Sequence, residues 1–165
     1  MSTLKYILAL AVMVFAFNSC EKDDICVDGD TPLLVIRFYD ATITTDLKAP
    51  SNLQVKGLLD TGEYGDIITN TSTDSIQIPL RIDGLSTTYN LSINATTDAE
   101  NANEDVLVFD YTTKEVFISR ACGYVVNYEE LSDELTTDTD NWIKNIEITN
   151  TTVEDQTTAH VKIFH

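Results

Sequence analysis

The sequence is poor in histidine, cysteine and tryptophan, and these shortages narrow the functions that it can have. Two histidines, three cysteines and one tryptophan occur among 165 residues. A hydrolytic triad or a zinc site needs histidine or cysteine beside other ionisable groups. His160 and His165 lie in one terminal segment, outside any catalytic motif, and we expect His160 to point outward into solvent. We therefore expect a non-enzymatic protein without a cofactor.

Basic residues are also scarce. Ten Lys and Arg stand against 27 Asp and Glu, which gives a net charge of −17. Such a surface repels phosphate backbones and anionic headgroups, so we expect no nucleic-acid partner. We interpret the acidity as an aid to solubility outside the cell. Binding of a cation or of a cationic partner is the alternative.

Only one long apolar run occurs, over residues 6–17, and it is shorter than the roughly 20 residues of a spanning helix. Lys5 precedes this run, and Ser19 and Cys20 follow it, which is typical of a cleaved export signal. We expect residues 1–19 to be removed and Cys20 to be lipidated. The two residues before Ser19 depart from the usual lipoprotein pattern, so an ordinary cleaved signal is the alternative.

The residues after Cys20 predict where in the cell the protein is located. Glu21, Lys22, Asp23 and Asp24 resemble the Cys-x-Lys-acid-acid export signal of surface-exposed Bacteroidota lipoproteins. We expect a lipid anchor in the outer membrane, in the leaflet that faces the medium, with the periplasmic face as the alternative. Residues 20–31 would form the lipidated amino terminus and a short tether, and residues 32–165 a single domain.

Cys26 and Cys122 remain as an even pair once Cys20 is assigned to the anchor. In an oxidising compartment we expect them to form a disulfide. The chain-entropy model gives a loop of this length about 4–5 kcal/mol of stabilisation. Two buried thiols, or a reactive Cys122, are the alternatives.

Alternation of apolar and polar residues dominates the rest of the chain, as in residues 76–82, 89–94 and 159–164. This period predicts about nine half-buried strands in an antiparallel β-sandwich, immunoglobulin-like or transthyretin-like. A small β-barrel is the alternative. Residues 33–39 and 106–109 are more continuously apolar and predict central strands, whereas Pro79 predicts an edge strand.

Turn signals divide these strands. Asp60-Thr61-Gly62 and Asp83-Gly84 are typical turn sequences. Residues 112–115 are polar and predict a hairpin turn between two strands. Residues 129–135 predict the one short helical turn of the chain.

Three further features suggest ligands or modification. Asp28, Asp30, Asp138 and Asp140 offer carboxylates at loop spacing, which suits Ca²⁺, although acidic turns are common on so negative a chain. Trp142 and Tyr128 are candidates for a sugar or peptide site, with burial in the core as the alternative. Asp74-Ser75-Ile76 resembles an O-glycosylation motif of Bacteroidota exported proteins, which makes Ser75 the acceptor.

The segment from Arg120 to Tyr124, Arg-Ala-Cys-Gly-Tyr, resembles the most specific part of an uncharacterised family of Bacteroidota exported lipoproteins. Further matches occur from Cys26 to the segment Ala159-His160-Val161-Lys162-Ile163. The resemblance implies an exported lipoprotein and supplies no activity. We expect an interaction or accessory component of the cell envelope, with an envelope protein as its partner. A carbohydrate- or peptide-binding module at the cell surface is the alternative.

Overall fold

The computed structural model describes residues 26, 29–94 and 102–165. The expected signal, Cys20, the four export residues and Asp28 lie outside these residues. None of the described segments forms an apolar helix of membrane-spanning length. The described chain forms nine strands: β1 (Leu34–Tyr39), β2 (Leu53–Leu58), β3 (Tyr64–Thr71), β4 (Ser75–Ile78), β5 (Ser86–Ile93), β6 (Asn103–Ser119), β7 (Gly123–Leu135), β8 (Asn145–Ile148) and β9 (Val161–Phe164).

The strands form two sheets, which confirms the predicted β-sandwich. One sheet has the order β4-β1-β9-β8 and the other the order β3-β2-β5-β6-β7. Each sheet keeps two open edges, so the alternative of a closed barrel is wrong. Neighbouring strands are antiparallel, except that β1 and β9 are parallel, with Ile36 opposite Val161. This parallel pair joins the first and last described strands, and alternation alone could not predict it.

The core lies between the sheets, where the alternating apolar side chains meet. In β1, Leu34, Ile36 and Phe38 are fully buried, and β1 lies between β4 and β9 as its apolar run predicted. β6 is likewise internal to its sheet. β4, which ends one residue before Pro79, is an edge strand, as expected for a residue that has no N–H to donate.

Three buried tyrosines fix the chain where it leaves β4. Their hydroxyls donate to three successive backbone carbonyls: Tyr89 to Pro79, Tyr128 to Leu80 (3.0 Å) and Tyr111 to Arg81 (2.9 Å). The Tyr111 hydroxyl also lies 2.6 Å from the hydroxyl of Thr87. Buried carbonyls are costly without a partner, so these tyrosines satisfy the backbone as it crosses from one sheet to the other.

The predicted turn at residues 112–115 is wrong. β6 continues straight through it for 17 residues, and the reversal lies eight residues from Thr112, at Arg120. Gly123, with a φ of 73°, follows this reversal and supplies the left-handed backbone that a tight turn favours. The polar side chains of residues 112–115 are exposed because only β7 pairs with β6 there.

The predicted helical turn at residues 129–135 is also wrong, because β7 runs through it as far as Leu135. The register with β6 shifts between Asp110 and Thr112, and Glu130 has a φ of 59°. Such a β-bulge interrupts the strict alternation on which strand prediction depends. Pairing with β6 thus outweighs the helical preference of the glutamates in this segment.

Candidate functional site

The long β6–β7 hairpin projects beyond the rest of its sheet. β5 accompanies β6 only as far as Asp110, whereas β6 and β7 stay paired from Thr112 opposite Glu129 to Ser119 opposite Gly123. We call residues 112–129 the ribbon. At about 3.4 Å per residue, each ribbon strand extends for roughly 25 Å. Its far end is the site at which the amino-terminal segment joins the domain.

The Cys26–Cys122 disulfide makes this junction. The sulfur atoms lie 2.05 Å apart and the Cα atoms 4.9 Å apart, as a disulfide requires. The segment continues beside β7, where the Thr31 hydroxyl accepts a hydrogen bond of 3.3 Å from the Val126 N–H. A Cβ at Gly29 would overlap Cys26 Sγ and lie 3.0 Å from Cys122 Cβ. Glycine is therefore required for this close approach to the disulfide.

Beside the disulfide lies a group of exposed apolar residues, which we call the tip patch: Phe117, Ile118 and Tyr124. Their exposed fractions are 55%, 40% and 66%. Phe117 and Tyr124 are cross-strand neighbours whose ring centroids lie 5.2 Å apart in an edge-to-face arrangement. The other large exposed apolar residues of the described chain lie on β3 and in the segments between the strands. The tip patch was not predicted, because the expected turn at residues 112–115 put Phe117 and Ile118 in the returning strand of a short hairpin that ended before Tyr124.

Trp142 and Tyr128 are not available to a ligand. Trp142 is 5% exposed and donates its indole N–H to the Leu91 carbonyl at 3.1 Å. Tyr128 is fully buried, and burial raises its pKa to about 12. The core interpretation therefore holds for both side chains, and a sugar or peptide site on this chain would need other residues.

Of the carboxylates considered for Ca²⁺, Asp30, Asp138 and Asp140 lie in the described part of the chain, and they form no metal-binding cluster there. The Asp138 carboxylate accepts a hydrogen bond of 2.9 Å from the Asp140 N–H, and the Asn141 side-chain oxygen accepts one of 2.8 Å from the Asp138 N–H. These bonds close the segment into a turn. Asp30 lies beside the ribbon. Within residues 26, 29–94 and 102–165, no three metal-ligating side chains form a cluster.

Asp105 on β6 is a buried carboxylate that the sequence did not reveal. One of its oxygens accepts a hydrogen bond of 2.8 Å from the Ile143 N–H, while the other is buried without a protein partner. Desolvation raises the pKa of this carboxyl group. Because it binds the backbone next to Trp142, its role is to fix the segment that leads into β8. Asp105 lies on the same face of β6 as the buried Leu107, but residues 106–109 are continuously apolar, so the sequence does not show which face points inward.

The prediction that His160 points into solvent is wrong. Its side chain is 1% exposed, and its Nδ1 accepts a hydrogen bond of 3.1 Å from the Val35 N–H. Its own backbone N–H donates to the Val35 carbonyl at 2.9 Å. The side chain thus extends the β1–β9 pairing by one hydrogen bond. Burial lowers the pKa of His160, which keeps the ring neutral and able to accept this bond.

A polar groove of about 510 Å³ crosses the outer face of the four-stranded sheet. Its floor includes Arg37 and Tyr39 on β1 and Ser75 and Gln77 on β4, and residues 156–159 form one wall. None of the ion pairs found among the described residues includes Arg37. Ser75, the candidate glycosylation site, therefore lies in a groove on an edge strand.

A smaller apolar cleft of about 210 Å³ lies between the β2–β3 hairpin and the segment that follows Pro79. Leu58, Ile67 and Tyr89 contribute to its walls. Arg81 also lines it and is held by ion pairs of 2.5 Å to Asp60 and 3.1 Å to Asp83. The cleft has room for a few apolar atoms, and its one cation is already neutralised.

Residues 52–165 match the model of a family of unknown function, DUF6452. The chain belongs to this family. The match includes the ribbon, Cys122 and the tip patch, and it begins after Cys26. No curated protein and no solved structure matches the chain. The family membership supports the expected uncharacterised domain and assigns no activity to it.

Proposed function

We propose that this protein is a lipid-anchored outer-membrane lipoprotein of Bacteroidota that faces the medium and acts as a non-enzymatic accessory component of the cell envelope. The observation that carries the proposal is the use of the three cysteines. Cys26 and Cys122 are bonded to each other, which suits an exported protein. Cys20, at the end of the apolar run, is thereby left for acylation.

The tether supports a role close to the membrane. Five residues separate Cys20 from Cys26, and they span roughly 20 Å when fully extended. Since Cys26 is bonded to the ribbon, the domain would remain near the bilayer. An envelope protein at the same height is therefore the partner that we propose.

Metabolic labelling with a fatty acid tests the anchor. The native chain should incorporate the label, and Cys20→Ala should not, while Cys26→Ala serves as the matched cysteine control and should retain it. Surface biotinylation of intact cells then tests the orientation. Label on the native chain only after the outer membrane is permeabilised would contradict a surface location.

The polar groove supports a second candidate, a carbohydrate- or peptide-binding module. Arg37 has no ion-pair partner among the described residues and lines the groove with Tyr39 and Gln77, a combination that suits an acidic sugar or a carboxylate. A glycan array with the native domain, Arg37→Ala and the exposed control Lys144→Ala tests this candidate. Binding that Arg37→Ala alone abolishes would support it, and binding that both variants retain would contradict it.

A further inference from the structure

The structure places the attachment point of the tether beside the tip patch. Cys122 is bonded to Cys26 and is two residues from Tyr124. Phe117 pairs with Tyr124 across the ribbon. Any anchor at Cys20 is therefore within roughly 20 Å of the disulfide, because the five intervening residues reach no further.

The tip patch is suited to the interface between lipid and water. Contiguous exposed apolar groups on a soluble domain mark sites of protein or membrane contact. Tyrosine is enriched where a bilayer meets water, because its ring is apolar and its hydroxyl is polar. Phe117 and Ile118 add apolar surface without any further polar atom. Phe117 and Tyr124 lie side by side on the ribbon, and Ile118 follows at the register shift next to them, so all three lie at one end of the two-stranded projection.

The charge of the ribbon distinguishes it from the rest of the domain. Lys114 and Arg120 balance Glu115 and Glu129, so residues 112–129 have a net charge of zero. Without residues 1–19 the chain retains nine basic and 27 acidic residues, a net charge of −18. Anionic headgroups would repel the acidic body more strongly than the ribbon. The ribbon itself therefore adds no net negative charge at such a surface, and the acidic side chains nearest to it are those of the attached amino-terminal segment, such as Asp30.

We propose that the ribbon tip is a membrane-contact site, in which Phe117 and Tyr124 enter the interface of the same bilayer that holds the lipid on Cys20. This inference rests on the proposed lipid anchor. The anchor brings the domain to the membrane, and the tip patch then sets its orientation, with the ribbon directed at the bilayer and the sandwich held away from it. A short lipid tether alone would leave the domain free to rotate.

Fluorescence quenching in vesicles tests this orientation. The acylated full-length chain is reconstituted in vesicles of phosphatidylethanolamine and phosphatidylglycerol that contain a lipid with a nitroxide near the glycerol. Tyr124→Trp places an indole in the tip patch, and Tyr64→Trp places one on β3, at the opposite edge of the five-stranded sheet. Native Trp142 is buried and supplies the common background. We expect Tyr124→Trp to lose emission with the quencher and Tyr64→Trp to retain it.

The outcomes distinguish failure of the membrane-contact site from failure of the lipid anchor. Equal quenching of the two variants, in protein whose acyl chains are verified by mass spectrometry, overturns the membrane-contact site and leaves the anchor intact. An absence of acyl chains overturns both. Photo-crosslinking from position 124 to an envelope protein in cells, without quenching in vesicles, would assign the tip patch to a protein partner and overturn the lipid assignment. Phe117→Ser should reduce the quenching of Tyr124→Trp while circular dichroism stays unchanged, which separates loss of contact from loss of fold.

Discussion

β6 and β7 run through both the sandwich body and the ribbon, yet their side chains are buried in the one and exposed at the tip of the other. In the body, β6 lies between β5 and β7, and Phe109 is fully buried against Tyr89, with ring centroids 6.2 Å apart. In the ribbon, eight residues further along β6, Phe117 is 55% exposed. Burial in the body determines the fold. Val125 and Tyr128 of the ribbon are also buried, so the contrast concerns the exposed side chains at its tip. The proposed membrane contact is the role that we assign to them.

The largest loss of stability should come from truncating a phenylalanine in the body, and the same truncation in the ribbon should have almost no effect. Phe109→Ala should lower the free energy of unfolding by about 3–5 kcal/mol, because it leaves a cavity in the core. Phe117→Ala should change it by no more than about 0.5 kcal/mol, as for most surface substitutions. Urea denaturation of the soluble domain measures both. Similar losses for the two variants would mean that the ribbon is part of the core.

Removal of the disulfide should have the next largest effect. The double variant Cys26→Ser, Cys122→Ser should lose about 2–4 kcal/mol, the usual value for disulfides and less than the chain-entropy model gives, because the unfolded chain regains the freedom of a 96-residue loop. Reduction of the native protein with dithiothreitol serves as the matched control and should produce the same shift in the urea midpoint. An unchanged midpoint in both would show that the bond does not stabilise the fold.

The hydroxyls of the core tyrosines should contribute less. Tyr128→Phe should cost about 1–3 kcal/mol, because the buried Leu80 carbonyl loses its donor while the ring remains. The control is Tyr64→Phe on β3, which should leave the urea midpoint unchanged because the Tyr64 side chain is exposed. Equal effects of the two substitutions would contradict the role assigned to the buried hydroxyls.

The smallest effect should be a dependence on pH from His160. Burial lowers the folded pKa of His160 below the ordinary histidine value of 6.5, so its contribution to stability is present above that pH. As the pH falls below 6.5, the unfolded chain binds the proton first and the stability decreases. The free energy of unfolding of His160→Asn should depend less on pH in this window. A slope equal to that of the native protein would contradict the assignment.

The sequence predicted those features of the fold that depend on local patterns. The apolar runs predicted that β1 and β6 lie inside their sheets, because a strand buried on both faces is apolar at successive positions. Pro79 predicted an edge strand, because it has no N–H to donate to a neighbouring strand. The parallel pairing of β1 with β9 depends on residues more than a hundred positions apart, and no local pattern records it. The exposed residues 112–115 were mistaken for a turn because a projecting ribbon is as polar as a loop.

The candidate site was predicted only in part. Cysteine counting predicted the Cys26–Cys122 bond correctly. The tip patch was missed because Phe117 and Tyr124 become neighbours only when β6 continues as far as Ser119. His160 was mistaken for a surface residue because alternation predicts only which face of the strand a residue occupies. It cannot reveal that the His160 ring accepts a hydrogen bond from the backbone N–H of Val35.

Mass spectrometry of the amino-terminal peptide of the natural protein tests the central claim most directly. The account predicts that the mature chain begins at Cys20, with a diacylglyceryl thioether on its sulfur, and that Cys26 and Cys122 are recovered as one disulfide-linked pair. An amino terminus at Cys20 or elsewhere without acyl chains, in protein that is extracted without detergent, would contradict it.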